Sequence, residues 1–250
     1  MFIKTLITTF KEHGVSVGLR LANYYVLKAS AALFGPGREC PICGWNGPEF
    51  RPIIVMPYAV IRKKVMCPRC GSYERHRAYK FFYDRFFSEA ENINLKDILH
   101  FAPEVSLEET LRSHAAAYHK SNYENPADGE FSLDLRDLAL PDRSYDVMIM
   151  NYVLSCMPED DKAVKSMYRV LRGNGVVLAG DGVSPDQRTE ELKSVGYGGL
   201  HRCYGMLDLE ERFAPFSVKV VDAAADLSPE QRERFGINAN EMVIVLRKLP

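Results

Sequence analysis

The stretch Tyr145–Asp181 decides the fold class of this chain; it reads YDVMIMNYVLSCMPEDDKAVKSMYRVLRGNGVVLAGD. An apolar run, Tyr145–Tyr152, is followed by a segment with apolar residues at helical spacing, Asp160–Leu171, and by a second apolar run, Gly175–Asp181. Runs rich in Val, Ile, Leu and Met that alternate with helices are typical of strands buried on both faces. The stretch therefore predicts a strand–helix–strand unit of a parallel sheet.

The same alternation continues on both sides of this unit. Further strands are predicted at Asp97–Ala102, Ala116–Ser121, Glu130–Leu135, Phe216–Asp222 and Glu241–Arg247, and further helices at Ser106–His114, Pro185–Val195 and Met206–Phe213. The segment before the final strand is polar and lacks a strong helical pattern, so that strand is compatible with an antiparallel orientation. The fold class is α/β, with a mostly parallel sheet and helices on both faces.

The sequence predicts four successive parts. They are N-terminal amphipathic helices at residues 1–37, a cysteine-containing module at 38–71, a linking helix within 72–95 and the alternating domain at 96–250. Ser72 is predicted as the N-cap of the linking helix, which runs to about Ser88. Lys and Arg among the apolar residues of 1–36 leave peripheral membrane contact open, but packing on a neighbouring domain or subunit is the favoured interpretation.

Composition and charge limit the function classes. The chain has 250 residues, of which 46% are hydrophobic and 26% charged, as in ordinary soluble globular proteins. It has no run of eighteen apolar residues and no recognisable signal peptide, so we expect a cytoplasmic protein without a transmembrane segment. Residues 1–90 contain 14 Lys and Arg against 6 Asp and Glu, whereas the remainder contains 18 against 27. This asymmetry fits either an anionic partner or docking of the basic part on the acidic part.

Two Cys-x-x-Cys pairs have the spacing of metal-binding knuckles. They read CPICG (40–44) and CPRCG (67–71), and 23 residues separate them, enough for a hairpin such as Phe50–Val55 with Ala59–Met66. Four thiolates close a tetrahedron and leave no position for chemistry, which predicts a structural zinc ion. Two knuckles argue against a redox dithiol, but ligand type alone leaves iron open. The ligands are predicted to be Cys40, Cys43, Cys67 and Cys70, while Cys156 and Cys203 are expected to be small buried side chains.

Five segments resemble one protein family. They are Cys67–Arg77 (CPRCGSYERHR), Leu99–Glu104 (LHFAPE), Leu133–Val147 (LDLRDLALPDRSYDV), Tyr168–Val176 (YRVLRGNGV) and His201–Gly205 (HRCYG). Together they resemble class I S-adenosylmethionine-dependent methyltransferases, type 11-like, of a subgroup with an N-terminal zinc ribbon. The resemblance implies a Rossmann-like sheet of seven strands with the cofactor across the carboxyl ends of the strands.

The resemblance also implies the cofactor-binding residues. Those expected to contact S-adenosylmethionine are Phe101, Ala102, Pro103, Glu104, Asn122, Asp134, Leu135 and Asn151. Glu104 is available to pair with the cofactor's ammonium group, and the region of Asp134 and Leu135 would meet the adenine. Two features depart from the broad family: the glycine-rich loop is replaced by Phe101–Glu104, and Asn122 stands where a carboxylate would hold the ribose hydroxyls.

Methyl transfer depends mainly on alignment and exclusion of water, and needs a base only when the acceptor must lose a proton. His201 is the candidate base, Arg202 and Tyr204 are candidates for orienting an acceptor, and Tyr152 is expected at a strand end facing the cofactor. The favoured acceptor is a small metabolite or a sugar. Two alternatives stay open: an RNA methyltransferase that uses the basic ribbon, although nucleic acid is not favoured, and a non-catalytic scaffold on a degenerate methyltransferase fold.

Overall fold

The computed structural model describes residues 2–55, 60–89, 96–196, 199–237 and 241–250. In chain order its elements are α1 (Phe2–Leu33), β1 (Arg38–Glu39), β2 (Asn46–Gly47), β3 (Arg51–Val55), β4 (Val60–Met66), α2 (Glu74–Glu89), β5 (Asp97–Phe101), α3 (Val105–Ser113), β6 (Ala117–Ser121), β7 (Tyr145–Asn151), α4 (Asp160–Val170), β8 (Leu171–Gly180), β9 (Val183–Ser184), β10 (Glu190–Glu191), β11 (Arg202–Gly205), α5 (Leu209–Arg212), β12 (Ser217–Asp222), α6 (Pro229–Phe235) and β13 (Met242–Arg247).

The chain divides into two compact units. The first contains residues 1–80 and 226–239, and the second contains residues 81–225 and 240–250. Segment 226–239, with α6, thus belongs to the unit of the cysteine pairs, whereas the sequence analysis places it in the C-terminal part. Parts of two predicted elements lie outside the described residues: Ala59 of the hairpin and residues 90–95 of the linking segment.

In the first unit, the N-terminal pattern, which is compatible with one or two helices, forms a single helix, α1. No helix in the described ranges combines the length and the hydropathy that a membrane crossing requires. The predicted cap of α2 is wrong, because that helix begins at Glu74. The hydroxyl of Ser72 instead lies 3.4 Å from the sulfur of Cys40 and 3.2 Å from the sulfur of Cys70.

A buried arginine holds the first unit together. The guanidinium of Arg77 donates hydrogen bonds to the carbonyl oxygens of Val65, Ser72, Phe235 and Gly236 at 2.6 to 3.0 Å. It also lies 3.8 Å from the centroid of the Phe50 ring. Burial lowers the pKa of Arg77 to about 10, so the group keeps its charge at neutral pH. One side chain thus joins the hairpin, the second cysteine knuckle and the C-terminal end of α6.

The second unit is built on a six-stranded sheet of order β12-β13-β8-β7-β5-β6. The pairs β5–β6, β5–β7 and β7–β8 are parallel, and β13 pairs antiparallel with both β8 and β12. The α/β class, the mostly parallel Rossmann-like sheet and the antiparallel final strand are therefore confirmed. Apolar side chains of β7, β8 and α4 pack in one core cluster, which fixes the strand ends where ligands bind in such sheets.

The predicted seventh strand, Glu130–Leu135, is reduced to a single bridge in the described residues. Phe131 pairs in parallel with Ser121, its N–H donating to Lys120 at 2.8 Å and its carbonyl accepting from Asn122 at 2.9 Å. The N–H of Leu133 then donates to the hydroxyl of Ser121 at 3.2 Å rather than to a backbone carbonyl. Because a side chain takes this donor, the ladder ends after one pair.

The helix predicted at Pro185–Val195 is wrong, and the one at Met206–Phe213 shrinks to a 3₁₀ turn and α5. Strands β9, β10 and β11 form a small three-stranded sheet there. The carboxylate of Asp208 accepts hydrogen bonds from the N–H and the hydroxyl of Thr189 at 2.8 and 2.9 Å. These local bonds and the pairing of β10 with β11 outweigh the weak helical pattern of the sequence.

The packing around Arg77 can be tested by a substitution at Gly236. It ends α6 in the left-handed conformation, with φ of 61°, and a Cβ there would lie 2.6 Å from the Phe50 ring and 3.1 Å from a guanidinium nitrogen of Arg77. We expect Gly236→Ala to lower the free energy of unfolding by about 2–3 kcal/mol, combining backbone strain with overpacking. Gly37→Ala is the matched control, because Gly37 also has positive φ but a Cβ there meets nothing within 4 Å. In denaturant titrations, Gly37→Ala should lower the free energy of unfolding by only about 1 kcal/mol. Equal losses in the two variants would show that the packing around Arg77 does not matter at Gly236.

Candidate functional site

A cleft of about 430 Å³ opens at the carboxyl ends of β5, β6 and β7, within the second unit. Its walls are mainly apolar, with a few polar groups, which is typical of small-molecule sites. Five of the eight predicted cofactor residues line it, as does Tyr152. The lining residues are Phe101, Ala102, Ser121, Asn122, Tyr123, Glu124, Leu133, Asp134, Leu135, Arg136, Tyr152, Val153, Cys156, Met157 and Pro158.

The backbone turns sharply at two positions of the cleft wall. Ala102 follows β5 with φ of 46° and Tyr152 follows β7 with φ of 55°, both in the left-handed region. The N–H of Ala102 donates to the carbonyl of Ser121 at 2.9 Å, and the N–H of Tyr152 donates to that of Gly180 at 2.8 Å. Strain of this kind persists only where surrounding structure enforces it, and it clusters at ligand sites.

Glu104 is held by a buried polar network beside this loop. Its Oε2 lies 3.1 Å from Nε2 of His100, and it accepts a hydrogen bond from Nδ2 of Asn151 at 3.1 Å. His100 is completely buried, and its Nδ1 lies 2.8 Å from the hydroxyl of Tyr118. The hydroxyl of Tyr83 donates to Oδ1 of Asn151 at 3.2 Å. The predicted residues Glu104 and Asn151 are thus bonded to each other. Glu104, Asn151 and Pro103 do not line the cleft.

Asp134 lies in the cleft wall but is engaged by its own loop. The guanidinium of Arg136 donates to both of its carboxylate oxygens, at 2.7 to 3.1 Å, and the Arg136 N–H donates to Oδ1 at 2.9 Å. These hydrogen bonds lower the pKa of Asp134, although burial opposes them. Asn122 and Glu124 both line the cleft.

Three of the four predicted catalytic residues, His201, Arg202 and Tyr204, lie outside the cleft lining. Arg202 is buried and donates to the carbonyls of Leu154, Met157 and Pro158 at 2.6 to 3.1 Å. Tyr204 is fully buried, and its hydroxyl donates to Asp160 at 3.0 Å. The pair therefore supports the turn that forms one wall of the cleft. His201 is half-buried, and its backbone N–H donates to the carbonyl of Ser155 in that turn at 2.8 Å.

Asp181 is a buried carboxyl group that the sequence analysis did not single out. It directly follows β8, accepts a short hydrogen bond from the Ser155 hydroxyl, and also accepts from the N–H groups of Leu154 and Ser155. Burial raises the pKa of Asp181 to about 7. The sequence could have indicated this residue, because an aspartate ends the predicted strand Gly175–Asp181, and ligands bind at the carboxyl ends of strands in such sheets.

In the first unit, the four predicted metal ligands come together. The sulfur atoms of Cys40, Cys43, Cys67 and Cys70 lie within 4.8 Å of one another. The Cys40–Cys70 and Cys43–Cys67 sulfur pairs are each 3.7 Å apart. A zinc tetrahedron with bonds of about 2.3 Å has edges of about 3.8 Å, so the spacing fits a zinc ribbon.

Both cysteine knuckles have the same backbone turn. Gly44 and Gly71 have φ of 66° and 73°, and their N–H groups donate to the carbonyls of Cys40 and Cys67 at 2.9 and 3.0 Å. The N–H groups of Ile42 and Cys43 donate to the sulfur of Cys40, and those of Arg69 and Cys70 donate to the sulfur of Cys67. A hydrogen bond between Cys67 and Cys40 lowers the pKa of Cys40 and raises the pKa of Cys67, because the two thiols share one proton. Of the other two cysteines, Cys156 is half-buried, but Cys203 is exposed, contrary to the expectation of burial.

Part of the second unit is similar to proteins of known family. Residues 105–179 match the family described as "Methyltransferase domain". The 1,6-didemethyltoxoflavin-N1-methyltransferase of Burkholderia thailandensis, solved with 1,6-didemethyltoxoflavin and S-adenosylhomocysteine, is 12% identical, with 71% of this chain and 79% of that chain covered and a TM-score of 0.49. An S-adenosylmethionine-dependent methyltransferase of Mesorhizobium loti is 11% identical, with 67% and 98% covered and a TM-score of 0.46. Among curated protein sequences, none matches the chain.

Ala102 allows a direct test of the strained loop. Because glycine adopts its φ of 46° without a Cβ penalty, we expect Ala102→Gly to raise the free energy of unfolding by about 0.5–1 kcal/mol. Ala127→Gly, at an exposed position of ordinary φ, is the control and should lower it by up to about 1 kcal/mol, because glycine adds entropy to the unfolded chain. Chemical denaturation measures both, and a loss at Ala102 matching that at Ala127 would show that the turn is unstrained.

Proposed function

We propose that this chain, whose residues 105–179 match a methyltransferase domain family, is a methyltransferase that binds S-adenosylmethionine in the cleft at the strand ends and methylates a small-molecule acceptor. The observation that carries the proposal is the coincidence of three features in one place. The cleft, the two left-handed turns and five of the eight predicted cofactor residues lie together at the carboxyl ends of β5, β6 and β7. In doubly wound sheets this edge is where nucleotides bind.

The residues present fit the cofactor. Leu135, Val153 and Met157 offer apolar walls for an adenine ring, and Asn122 with Glu124 offers hydrogen-bond acceptors for ribose hydroxyls. Bound there, S-adenosylmethionine supplies an electrophilic methyl group on a sulfonium. The chain contributes alignment and exclusion of water, since an in-line displacement gains most from these.

Glu104 is the group that we assign to the cofactor's ammonium. His100 and Asn151 fix the orientation of its carboxylate through two hydrogen bonds of 3.1 Å. A carboxylate oriented in advance loses little freedom when it pairs with a cation. The fixed Glu104 can thus replace some of the backbone contacts that a glycine loop would provide.

A small acceptor fits the site better than RNA. On the hairpin of the first unit, Lys64 pairs with Glu49 at 3.2 Å, and Arg62 pairs with Glu74. Paired basic side chains add little to phosphate binding, which depends on uncompensated positive charge.

In the first unit, we assign zinc to the four cysteine sulfurs, in a structural role. Cys40, Cys43, Cys67 and Cys70 would fill all four positions of a tetrahedron and leave none for a substrate. The core of the knuckles is small, with Cys40, Phe50 and Cys67 as its buried members. A bound metal would therefore supply much of the folding free energy of this unit.

The cofactor proposal predicts a ligand-specific effect at Glu104. S-adenosylhomocysteine carries the ammonium group, whereas 5′-methylthioadenosine keeps the nucleoside and lacks the amino acid. We expect Glu104→Gln to weaken S-adenosylhomocysteine by about 10- to 100-fold, the cost of a charge-assisted hydrogen bond, and to leave methylthioadenosine unchanged. Isothermal titration calorimetry measures both affinities.

Glu109→Gln is the matched control, because Glu109 lies on the same helix, α3, and is exposed. Its affinities should equal those of the unaltered protein. If the unaltered protein binds neither ligand, the proposed function fails. If Glu104→Gln weakens both ligands equally, the function stands but Glu104 acts through the loop and not through the ammonium.

The metal proposal predicts one zinc ion per chain. Cys43→Ser should reduce the bound zinc from about one ion per chain to nearly none, because three thiolates hold the metal far less tightly. It should also lower the unfolding temperature of the first unit. Metal analysis by mass spectrometry and a thermal scan measure the two effects.

Cys203→Ser controls for the loss of a thiol, since Cys203 is exposed and lies outside the cluster. We expect this variant to retain its metal and its unfolding temperature. If the protein contains iron instead of zinc, the identity of the metal is wrong but the four cysteine ligands stand. If the protein contains no metal and Cys43→Ser leaves its unfolding temperature unchanged, both the metal and the ligand assignments are wrong.

A further inference from the structure

Helix α1 exposes a row of large apolar side chains. Val15, Leu19, Val26 and Leu33 are 67%, 60%, 66% and 69% exposed. The opposite face of the helix packs within the first unit, where Ala31 is buried. Single exposed apolar residues are ordinary, but a continuous row along one helix face marks an interaction surface.

The spacing of this row specifies the kind of partner. With Ala29, which is also exposed, and Ala22, which is half-buried, the row occupies positions 15, 19, 22, 26, 29 and 33, in alternating steps of four and three. This repeat of 3.5 residues is the heptad pattern by which one helix packs along another. At about 1.5 Å per residue the row is roughly 27 Å long. We call these six residues the α1 seam.

The sizes of the side chains in the α1 seam fit a second copy of the same seam running in the opposite direction. About a two-fold axis near residue 24, Leu19 faces Ala29 of the partner copy, Ala22 faces Val26, and Val15 faces Leu33. Every alanine then meets a large side chain, as close packing of facing layers requires. In a parallel pair, by contrast, Ala22 and Ala29 would face their own counterparts and leave gaps.

The flanks of the seam permit this close approach. The positions beside it on one side are Ser16, Asn23 and Ser30, and on the other side Gly18, Tyr25 and Ala32. None carries a charge, so two copies meet without like-charge repulsion, and several are small enough for the helices to approach closely.

We propose that the protein forms a homodimer through the α1 seam, as an antiparallel helix pair with two-fold symmetry. The inference does not depend on the proposed function, because α1 lies in the first unit and the cleft lies in the second. A seam of six small and medium side chains per copy makes a small interface, so the dimer dissociates in the micromolar range.

The test is a pair of substitutions that compensate only in the antiparallel arrangement. Sedimentation velocity of the full chain from about 1 to about 100 µM, the range in which interfaces below ~1,200 Å² dissociate, measures the dimer constant. Leu19→Ala removes contact area and Ala29→Leu collides with Leu19 of the partner copy, so each alone should weaken the dimer at least 10-fold. The double variant again places one leucine opposite one alanine. Its dimer dissociation constant should therefore return to within about 3-fold of that of the unaltered protein.

Arg20→Leu is the control, because it adds an exposed leucine to the same helix away from the seam and should leave the dimer constant unchanged. A monomer at all concentrations overturns the proposal. Tighter dimerisation by Ala29→Leu overturns the antiparallel arrangement in favour of a parallel one. A monomer that cosediments with phosphatidylserine vesicles, and loses this on Leu19→Ala, assigns the seam to a membrane surface instead.

Discussion

Two backbone hydrogen bonds at the strand ends shape the candidate site. The bonds from Ala102 to Ser121 and from Tyr152 to Gly180 carry the parallel pairing past the last residues of β5 and β7. Because the chain must then turn at once, both residues adopt left-handed φ without being glycine. The opening between the two turns is the cleft. The sheet thus sets the position of the site, and the loops supply its chemistry.

The polar groups around this opening differ in how they are satisfied. Glu104 and Asn151 bond to each other and to the buried residues His100 and Tyr83, so their orientation is fixed from behind. Asp181 instead accepts hydrogen bonds from Leu154 and Ser155 in the turn after β7. Burial raises the pKa of Asp181 to about 7. A carboxyl group whose pKa is raised in the folded state contributes stability below its unfolded pKa. This contribution is lost as the pH rises through the folded value. The turn that forms one cleft wall is therefore weakest in alkaline solution.

The sequence predicts those elements whose pattern is local. Strands β5, β7 and β8 and helix α4 are marked by apolar runs or helical spacing, and the cysteine pairs by their fixed gap. The errors arise where a side chain competes with the backbone: the Ser121 hydroxyl ends the seventh strand, and Asp208 holds Thr189 where a helix was expected. The partners of Arg136, Arg202 and Asp181 could not be predicted, because which charge meets which depends on the folded chain.

The first unit has two anchors that act on different parts of it. The cysteine sulfurs gather the two knuckles at spacings that fit one tetrahedral ion, while Arg77 ties the second knuckle and the hairpin to the end of α6. The two are adjacent, because the carbonyl of Ser72 accepts from Arg77 and its hydroxyl lies against two of the sulfurs. Four thiolates would carry more negative charge than one divalent ion neutralises. The buried guanidinium, charged at neutral pH, lies where it offsets part of that excess. A metal bound by these cysteines would therefore account for a costly buried cation beside the knuckle.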